Sequence, residues 1–248
     1  MSTNQVILIT GGTRGIGAAI ARAAAGKGYA VCVTYAQDET AAEATIASLR
    51  KYEVPALALK GRVEDPGFAK GAFVQAQEQL GPVTAVVNNA GVTGKIGPFV
   101  DSSPESLRTI LDVNLLAPML LSQEAIRQWR ASGSTGAIVN ISSIAATLGA
   151  PNEYVGYAAS KAGLEALTIG LAKEVASTGI RVNAVAPGTV YTDIHAAAGE
   201  PNRPARVVSR VPMARIGEPQ EIADAVIWLL SDEASYVTGA VLRVSGGL

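Results

Sequence analysis

Val6-Ile-Leu-Ile-Thr10 followed by Gly11-Gly-Thr-Arg-Gly-Ile-Gly17 is the stretch whose reading decides the fold. Four consecutive apolar residues, three of them β-branched, describe a strand buried on both faces. Glycines then turn the chain, and Ile16, Ala19, Ile20 and Ala23 recur at helical spacing. Strand, glycine turn and helix in that order present backbone N–H groups and the positive end of a helix to an anion, usually a pyrophosphate. A glycine loop alone often merely joins two elements. The strand before it and the helix after it supply the context that a dinucleotide site requires.

Composition narrows the alternatives. Of 248 residues, 48% are apolar and 17% charged, ample for a core and unlike a disordered chain. A net charge of −1, without charged runs, offers no footprint for nucleic acid or an anionic membrane surface. The lone cysteine, Cys32, excludes an intrachain disulfide and reads as an inert strand residue. One histidine, His195, without a cysteine cluster argues against a metal site. The polar start Met1-Ser-Thr-Asn-Gln5 has no leader or spanning character, so a cytoplasmic protein is expected.

Strand and helix patterns alternate along the chain. Strands are expected at Ala30 to Thr34, Ala56 to Leu59, Val83 to Val87, Gly136 to Ile141, Ile180 to Ala186 and Ala240 to Val244. Helices are expected at Thr40 to Lys51, Pro66 to Leu80, Pro104 to Arg130 with an interruption at Pro118, Tyr154 to Ser177, and Pro219 to Leu230. This alternation implies right-handed βαβ units and one parallel sheet covered on both faces, a single α/β domain spanning 1–248. Residues 189–218 carry no clean period. Their length and position predict a lid that sets substrate choice. Ligands in such sheets gather at the carboxyl ends of the strands, where the Gly11 loop, Asn88 to Gly91, Ser142-Ser143 and Pro187-Gly188 all fall.

These residues resemble the short-chain dehydrogenase/reductase family over nearly the whole chain. The likeness is carried by Thr10 to Gly17, Asn88-Asn-Ala-Gly91, Asn114, Ser143, Tyr157-Ala-Ala-Ser-Lys161, and Pro187-Gly188 with Thr192. Within the family, the chain is most similar to bacterial sugar dehydrogenases and 3-oxoacyl-carrier-protein reductases. The resemblance implies a Rossmann fold with seven parallel strands in the order 3-2-1-4-5-6-7 and a nicotinamide cofactor. It also implies contacts to that cofactor from Gly11, Thr13, Arg14, Gly15, Ile16, Gly17, Tyr35, Arg62, Val63, Asn89, Ala90, Gly91, Tyr157, Lys161, Pro187, Gly188, Val190 and Thr192.

The chemistry can be argued from the residues as well. Tyr157 and Lys161 are one helical turn apart and share a face. A free phenol, with a pKa of about 10, is a poor base at neutral pH, and a nearby ammonium favours the phenolate. The pair suits proton exchange with an alcohol or carbonyl oxygen while hydride passes to or from the cofactor. By resemblance, Lys161 also binds ribose hydroxyls, Ser143 hydrogen-bonds the substrate oxygen, and Asn114 holds a water linking Lys161 to solvent. Each has a plainer explanation: a solvated helix face for Tyr157 and Lys161, a strand end for Ser143, a kink beside Pro118 for Asn114. Ser142 is the less favoured of the two serines. Asn88, Asn89 and Gly91 could serve mainly to brace their loop.

Two departures from the family pattern stand out. Arg62-Val63 occupies the place of an aspartate–valine pair, leaving the adenine contact open, and Ser245-Gly-Gly-Leu248 lacks the usual acid. Tyr35 stands where an NAD-selecting carboxylate would end the second strand, and Arg14 can meet a 2′-phosphate, so NADP(H) is favoured over NAD(H). The alternative has Arg14 in solvent and Asp38 reaching back to the ribose. His195 reads as a surface residue sooner than as pocket wall, and Arg203, Arg206, Arg210 and Arg215 as mostly solvated. The expected activity is hydride transfer with a small carbonyl or secondary alcohol. A cofactor-sensing protein without turnover, and a dehydratase or epimerase, are the other readings. Long apolar helices at 104–130 and 154–177 predict a homo-oligomer, and the family resemblance, with such helices forming one interface and the C-terminal strand a second, implies a homotetramer.

Overall fold

The computed structural model describes residues 5–248; the expectation placed on Met1 to Asn4 lies outside them. Among these residues, seven parallel strands form one sheet in the order β3-β2-β1-β4-β5-β6-β7. They are β1 (Val6–Ile9), β2 (Ala30–Tyr35), β3 (Ala56–Lys60), β4 (Val83–Asn88), β5 (Ala137–Ile141), β6 (Arg181–Pro187) and β7 (Val241–Val244). The sheet order is the one implied by the family resemblance.

Helices cover both faces. In chain order they are α1 (Gly15–Gly26), α2 (Glu39–Leu49), α3 (Phe68–Leu80), α4 (Pro104–Leu111), α5 (Ala117–Ser132), α6 (Ala145–Leu148), α7 (Val155–Val175), α8 (Ile194–Ala197), α9 (Arg203–Val207) and α10 (Pro219–Leu230). The two faces follow from the pleat of β1. Ile7 and Ile9 pack among residues of α1 and α10, whereas Val6 and Leu8 join Phe73 of α3, Leu121 of α5 and Val175 of α7. All four β1 side chains are fully buried, as a strand covered on both sides requires.

Buried polar side chains thread the second face. Asn88 and Asn140 are register partners on β4 and β5. The Asn88 amide donates to Asn140 Oδ1 at 2.7 Å and to Ser122 Oγ at 3.2 Å, and the Asn140 amide donates to Thr168 Oγ1 at 2.8 Å. These contacts fasten α5 and α7 to the centre of the sheet.

Several local expectations are corrected. The break in the long helix is a π-helical turn, Asp112–Leu116, that ends two residues before Pro118 of α5 and not at the proline itself. The third helix begins at Phe68 behind Gly67, two residues after Pro66. The 189–218 segment contains two short helices, α8 and α9, and is pinned to the body by a parallel bridge between Val190 and Gly217. Among the described residues, no helix is long and apolar enough to cross a membrane.

Candidate active site

The carboxyl ends of the strands bring the predicted residues to one edge of the sheet. Gly11, Thr13, Arg14, Gly15, Ile16 and Gly17 form the turn from β1 into α1. That turn is tightly built. A Cβ on Gly17 would fall 2.2 Å from the Gly11 carbonyl oxygen and 2.6 Å from Asn89 Nδ2, so no side chain fits there. Asn89 earns its place by donating that Nδ2 to the carbonyls of Thr10 and Gly11, both at 2.9 Å. Thr10 Oγ1 in turn accepts the backbone N–H groups of Asn89 and Ala90 at 3.0 and 3.1 Å. The loops after β1 and β4 are therefore one hydrogen-bonded unit, a bracing role that the sequence left as an alternative.

The first turn of α1 has neither a side-chain cap nor an acidic residue. Its free N–H groups and positive end suit a diphosphate, and the absent Cβ atoms let the turn pack tightly on Val33, Asn89 and Ala90. Thr192, from the loop after Pro187, Gly188 and Val190, reaches the same turn: a Cβ at Gly15 would lie 3.1 Å from its methyl carbon. Arg14 is exposed and Tyr35 half-buried. Arg62 pairs with Glu64, Nε to Oε1 at 2.8 Å, and Val63 lines a small cavity with Thr10, Phe68 and Ala90.

Tyr157 and Lys161 rise from the first turns of α7, both buried. Lys161 Nζ donates to the Ile141 carbonyl at the end of β5, 2.7 Å away, and lies 5.7 Å from the Tyr157 ring centroid. Burial lowers the Lys161 ammonium to a pKa of about 8. Burial pushes the Tyr157 phenol up, opposed by its hydrogen bond with Ser143 and by the charge of Arg203. The two serines point different ways. Ser142 Oγ donates into the interior, to Glu165 Oε1 at 2.7 Å, while Ser143 faces the phenol and accepts the Ala145 N–H at 3.1 Å.

Asn114 lies in the π-helical turn and is fully buried. Its amide copies a backbone pairing: Oδ1 accepts the Val92 N–H and Nδ2 donates to the Val92 carbonyl, both at 2.8 Å, with Ser160 Oγ at 3.0 Å. The turn ends two residues before Pro118, so the helix is irregular beside that proline, and there the amide meets the loop after β4. Gly91 stands beside it. A Cβ there would lie 3.3 Å from Asn114 Oδ1 and 3.5 Å from Lys161 Nζ.

Residues outside the predicted set also enter the site. Tyr154 packs edge-on against Tyr157, with centroids 5.4 Å apart and planes at 88°. Arg203 lies over Tyr154 and pairs with Glu153. Arg203 is thus not solvated, and His195 is not on the surface: it is buried, with Nε2 3.1 Å from the Val190 carbonyl oxygen. Arg206 and Arg215 do stay largely in water, though each holds a carboxylate. The pairing of Tyr154 with Tyr157 one helical turn apart was visible in the sequence; the partners of Arg203 were not. Among the described residues, no group of His, Cys, Asp and Glu is arranged to hold a metal.

A seven-stranded 3-2-1-4-5-6-7 sheet with this glycine turn and this tyrosine–lysine helix defines a class, and the comparisons agree. Residues 11–248 match the family model described as Enoyl-(Acyl carrier protein) reductase, and the chain belongs to the short-chain dehydrogenase/reductase family of oxidoreductases. It is 42% identical over 244 residues to the Uncharacterized oxidoreductase YgfF of Escherichia coli (strain K12), covering 98% of this chain and 99% of that protein. It is 35% identical over 248 residues to the 3-oxoacyl-[acyl-carrier-protein] reductase FabG of Staphylococcus aureus (strain Mu50 / ATCC 700699), covering 100% and 99%. A blue fluorescent protein from a metagenomic library, solved in complex with NADPH, superposes with a TM-score of 0.89 at 35% identity, covering 100% and 99%.

Proposed function

We propose that this chain is an NADP(H)-preferring oxidoreductase that interconverts a carbonyl compound and a secondary alcohol, with Tyr157 as general acid and base. The observation that carries this reading is the meeting of Tyr157, Ser143, Lys161 and Asn114 beside the uncapped turn of α1. The NADPH complex of a relative that superposes over the full chain supports the choice of cofactor.

When bound, the nicotinamide supplies or accepts the hydride. The chain's own residues handle the proton. In reduction, Tyr157 Oη gives its proton to the substrate oxygen as negative charge develops there. Ser143 Oγ donates to the same oxygen, stabilising the charge before the proton arrives. The Lys161 ammonium, fixed by the Ile141 carbonyl, stabilises the phenolate that remains. Asn114 holds the loop after β4 against α7 through Val92 and Ser160, keeping Gly91 beside Lys161. Thr13, Arg14, Tyr35 and the glycine turn face the phosphate and ribose side, and Val190 and Thr192 close the nicotinamide side. Residues 189–218 form the substrate lid of a single domain.

Following reduced-nicotinamide absorbance across a panel of ketones and polyols tests the reading. At least one substrate should turn over, and Tyr157→Phe should cut that turnover by about 10²- to 10⁴-fold while cofactor still binds. Cofactor binding without turnover on any panel member would favour the sensing role instead. Near wild-type turnover in Tyr157→Phe would remove the tyrosine from the mechanism.

A further inference from the structure

We propose that Arg203 is a positioning residue that couples closure of the 189–218 segment to the setting of Tyr157. This rests on the proposed role of Tyr157 but not on the identity of the substrate.

The chain of contacts is continuous. Arg203 begins α9, inside the segment, and its side chain is only 12% exposed. Its Nε and Nη2 both donate to Glu153 Oε2, at 3.0 and 2.6 Å, and Glu153 is 15% exposed. Its guanidinium carbon lies 5.0 Å from the centroid of Tyr154, the ring that meets Tyr157 edge-on. A lid residue thus grips the turn immediately before α7 and stacks on the ring that borders the reacting phenol.

The closure has a second fastening. The backbone N–H of Ile96 donates to the Ala198 carbonyl at 3.1 Å, and that of Gly97 to the Glu153 carbonyl at 2.8 Å. The loop after β4 is therefore tied to the segment and to the carboxylate-bearing residue that Arg203 holds. Arg206 adds an outer layer, bonding Glu153 Oε1 at 2.7 Å and Glu200. An exposed ion pair contributes little, but Arg203 and Glu153 are mostly withdrawn from water, and the planar guanidinium combines the ion pair with stacking. Opening the segment breaks both.

The electrostatics follow the geometry. The charged or titratable groups around Tyr157 are Lys161 on its own helix, 5.7 Å from the ring centroid, Tyr154 against the ring edge, and Arg203 from the segment, which holds Glu153. The positive charge of Arg203 favours the phenolate of Tyr157. Closing the lid therefore brings in a charge that helps Tyr157 part with its proton.

Two measurements on the cofactor-free, full-length protein test this without a known substrate. One is phenolate ultraviolet titration, taken as the difference between each protein and its Tyr157→Phe counterpart. The other is amide hydrogen exchange across residues 194–207. In Arg203→Met, the Tyr157 midpoint should rise by about one pH unit and exchange should accelerate about tenfold or more. Arg203→Lys keeps the charge but loses the fork, so its midpoint should stay near wild type while exchange still accelerates. An unmoved midpoint or unmoved exchange in Arg203→Met overturns the proposal. If that variant does not fold, Arg203→Lys decides alone, and wild-type exchange in it overturns the proposal. Loss of turnover in Tyr157→Phe together with a silent Arg203→Met would refute the coupling and spare the proposed reaction.

Discussion

The Asp38 carboxylate accepts the backbone N–H of Ala41 at 2.9 Å, capping α2 at its first turn. One oxygen of the acid considered for a ribose hydroxyl is thereby engaged at a helix end. Tyr35, the last residue of β2, carries no charge to repel a phosphate. Catalytic efficiency on one carbonyl should accordingly be greater with NADPH than with NADH. Arg14→Ala should weaken NADPH by about tenfold or more and NADH little, since a charge-assisted contact to phosphate is lost. A preference for NADH would reverse the assignment.

Lys161 sets a pH dependence. Its folded-state pKa is lowered from 10.5 to about 8 by burial. Between those values the unfolded chain holds the extra proton, so this residue makes stability rise with pH across that window. Below about 8 the burial penalty is fully present; above 10.5 it is gone. Thermal melts of Lys161→Met should lack this upward slope, and an identical slope in both proteins would contradict it. Carbonyl reduction by the wild type should also decline as pH passes about 8 and the ammonium is lost.

Gly91 keeps clear the space between Asn114 and Lys161. Its backbone is not left-handed, so Gly91→Ala brings no conformational strain of that kind. The new methyl would press on Asn114 Oδ1 at 3.3 Å and come into ordinary contact with Lys161 Nζ at 3.5 Å. Turnover should fall by about tenfold with the melting temperature little changed, because a small misplacement suffices to disturb a reacting group. Steady-state rates beside a melting curve distinguish this from simple unfolding.

Aliphatic side chains line the outside of the helices expected to join subunits. Leu111, Leu116, Met119 and Leu120 are 38 to 46% exposed around the π-helical turn and α5, with Ile169 at 40% on α7. Covering them by a second copy removes this apolar surface from water. Light scattering should give a mass near four chains, and Leu116→Glu should lower it. A monomer mass independent of concentration would refute the tetramer.

The fold was legible because its decisive signals are local. Val6 to Gly17 announces strand, turn and helix within one short window, and the alternating patterns that follow leave one sensible layering. What stayed hidden depends on contacts across the chain. Asn114 looks misplaced in a helix until Val92 is seen to occupy its amide. His195 and Arg203 lie in a stretch without periodicity, and Glu153 is too distant in sequence for any pattern to connect it with Arg203. Asp38 was readable only as an acid within reach of the ribose, and its cap on α2 emerged with its hydrogen bond to Ala41.

The pairing of Asn88 with Asn140 also bears on how the sheet finds its alignment. Around it, Ala85, Val86 and Val87 face Ala137, Ile138 and Val139, a uniformly apolar set that does little by itself to fix the register. The asparagines remove that degeneracy. Any slip strands two amides away from water and from each other, and an unsatisfied buried polar group costs about 1–3 kcal/mol. Because Thr168 and Ser122 complete the set, a misaligned sheet would also forfeit the docking of α7 and α5. The polar thread thus works as an error check on assembly, passed only when strand alignment and helix placement are right together.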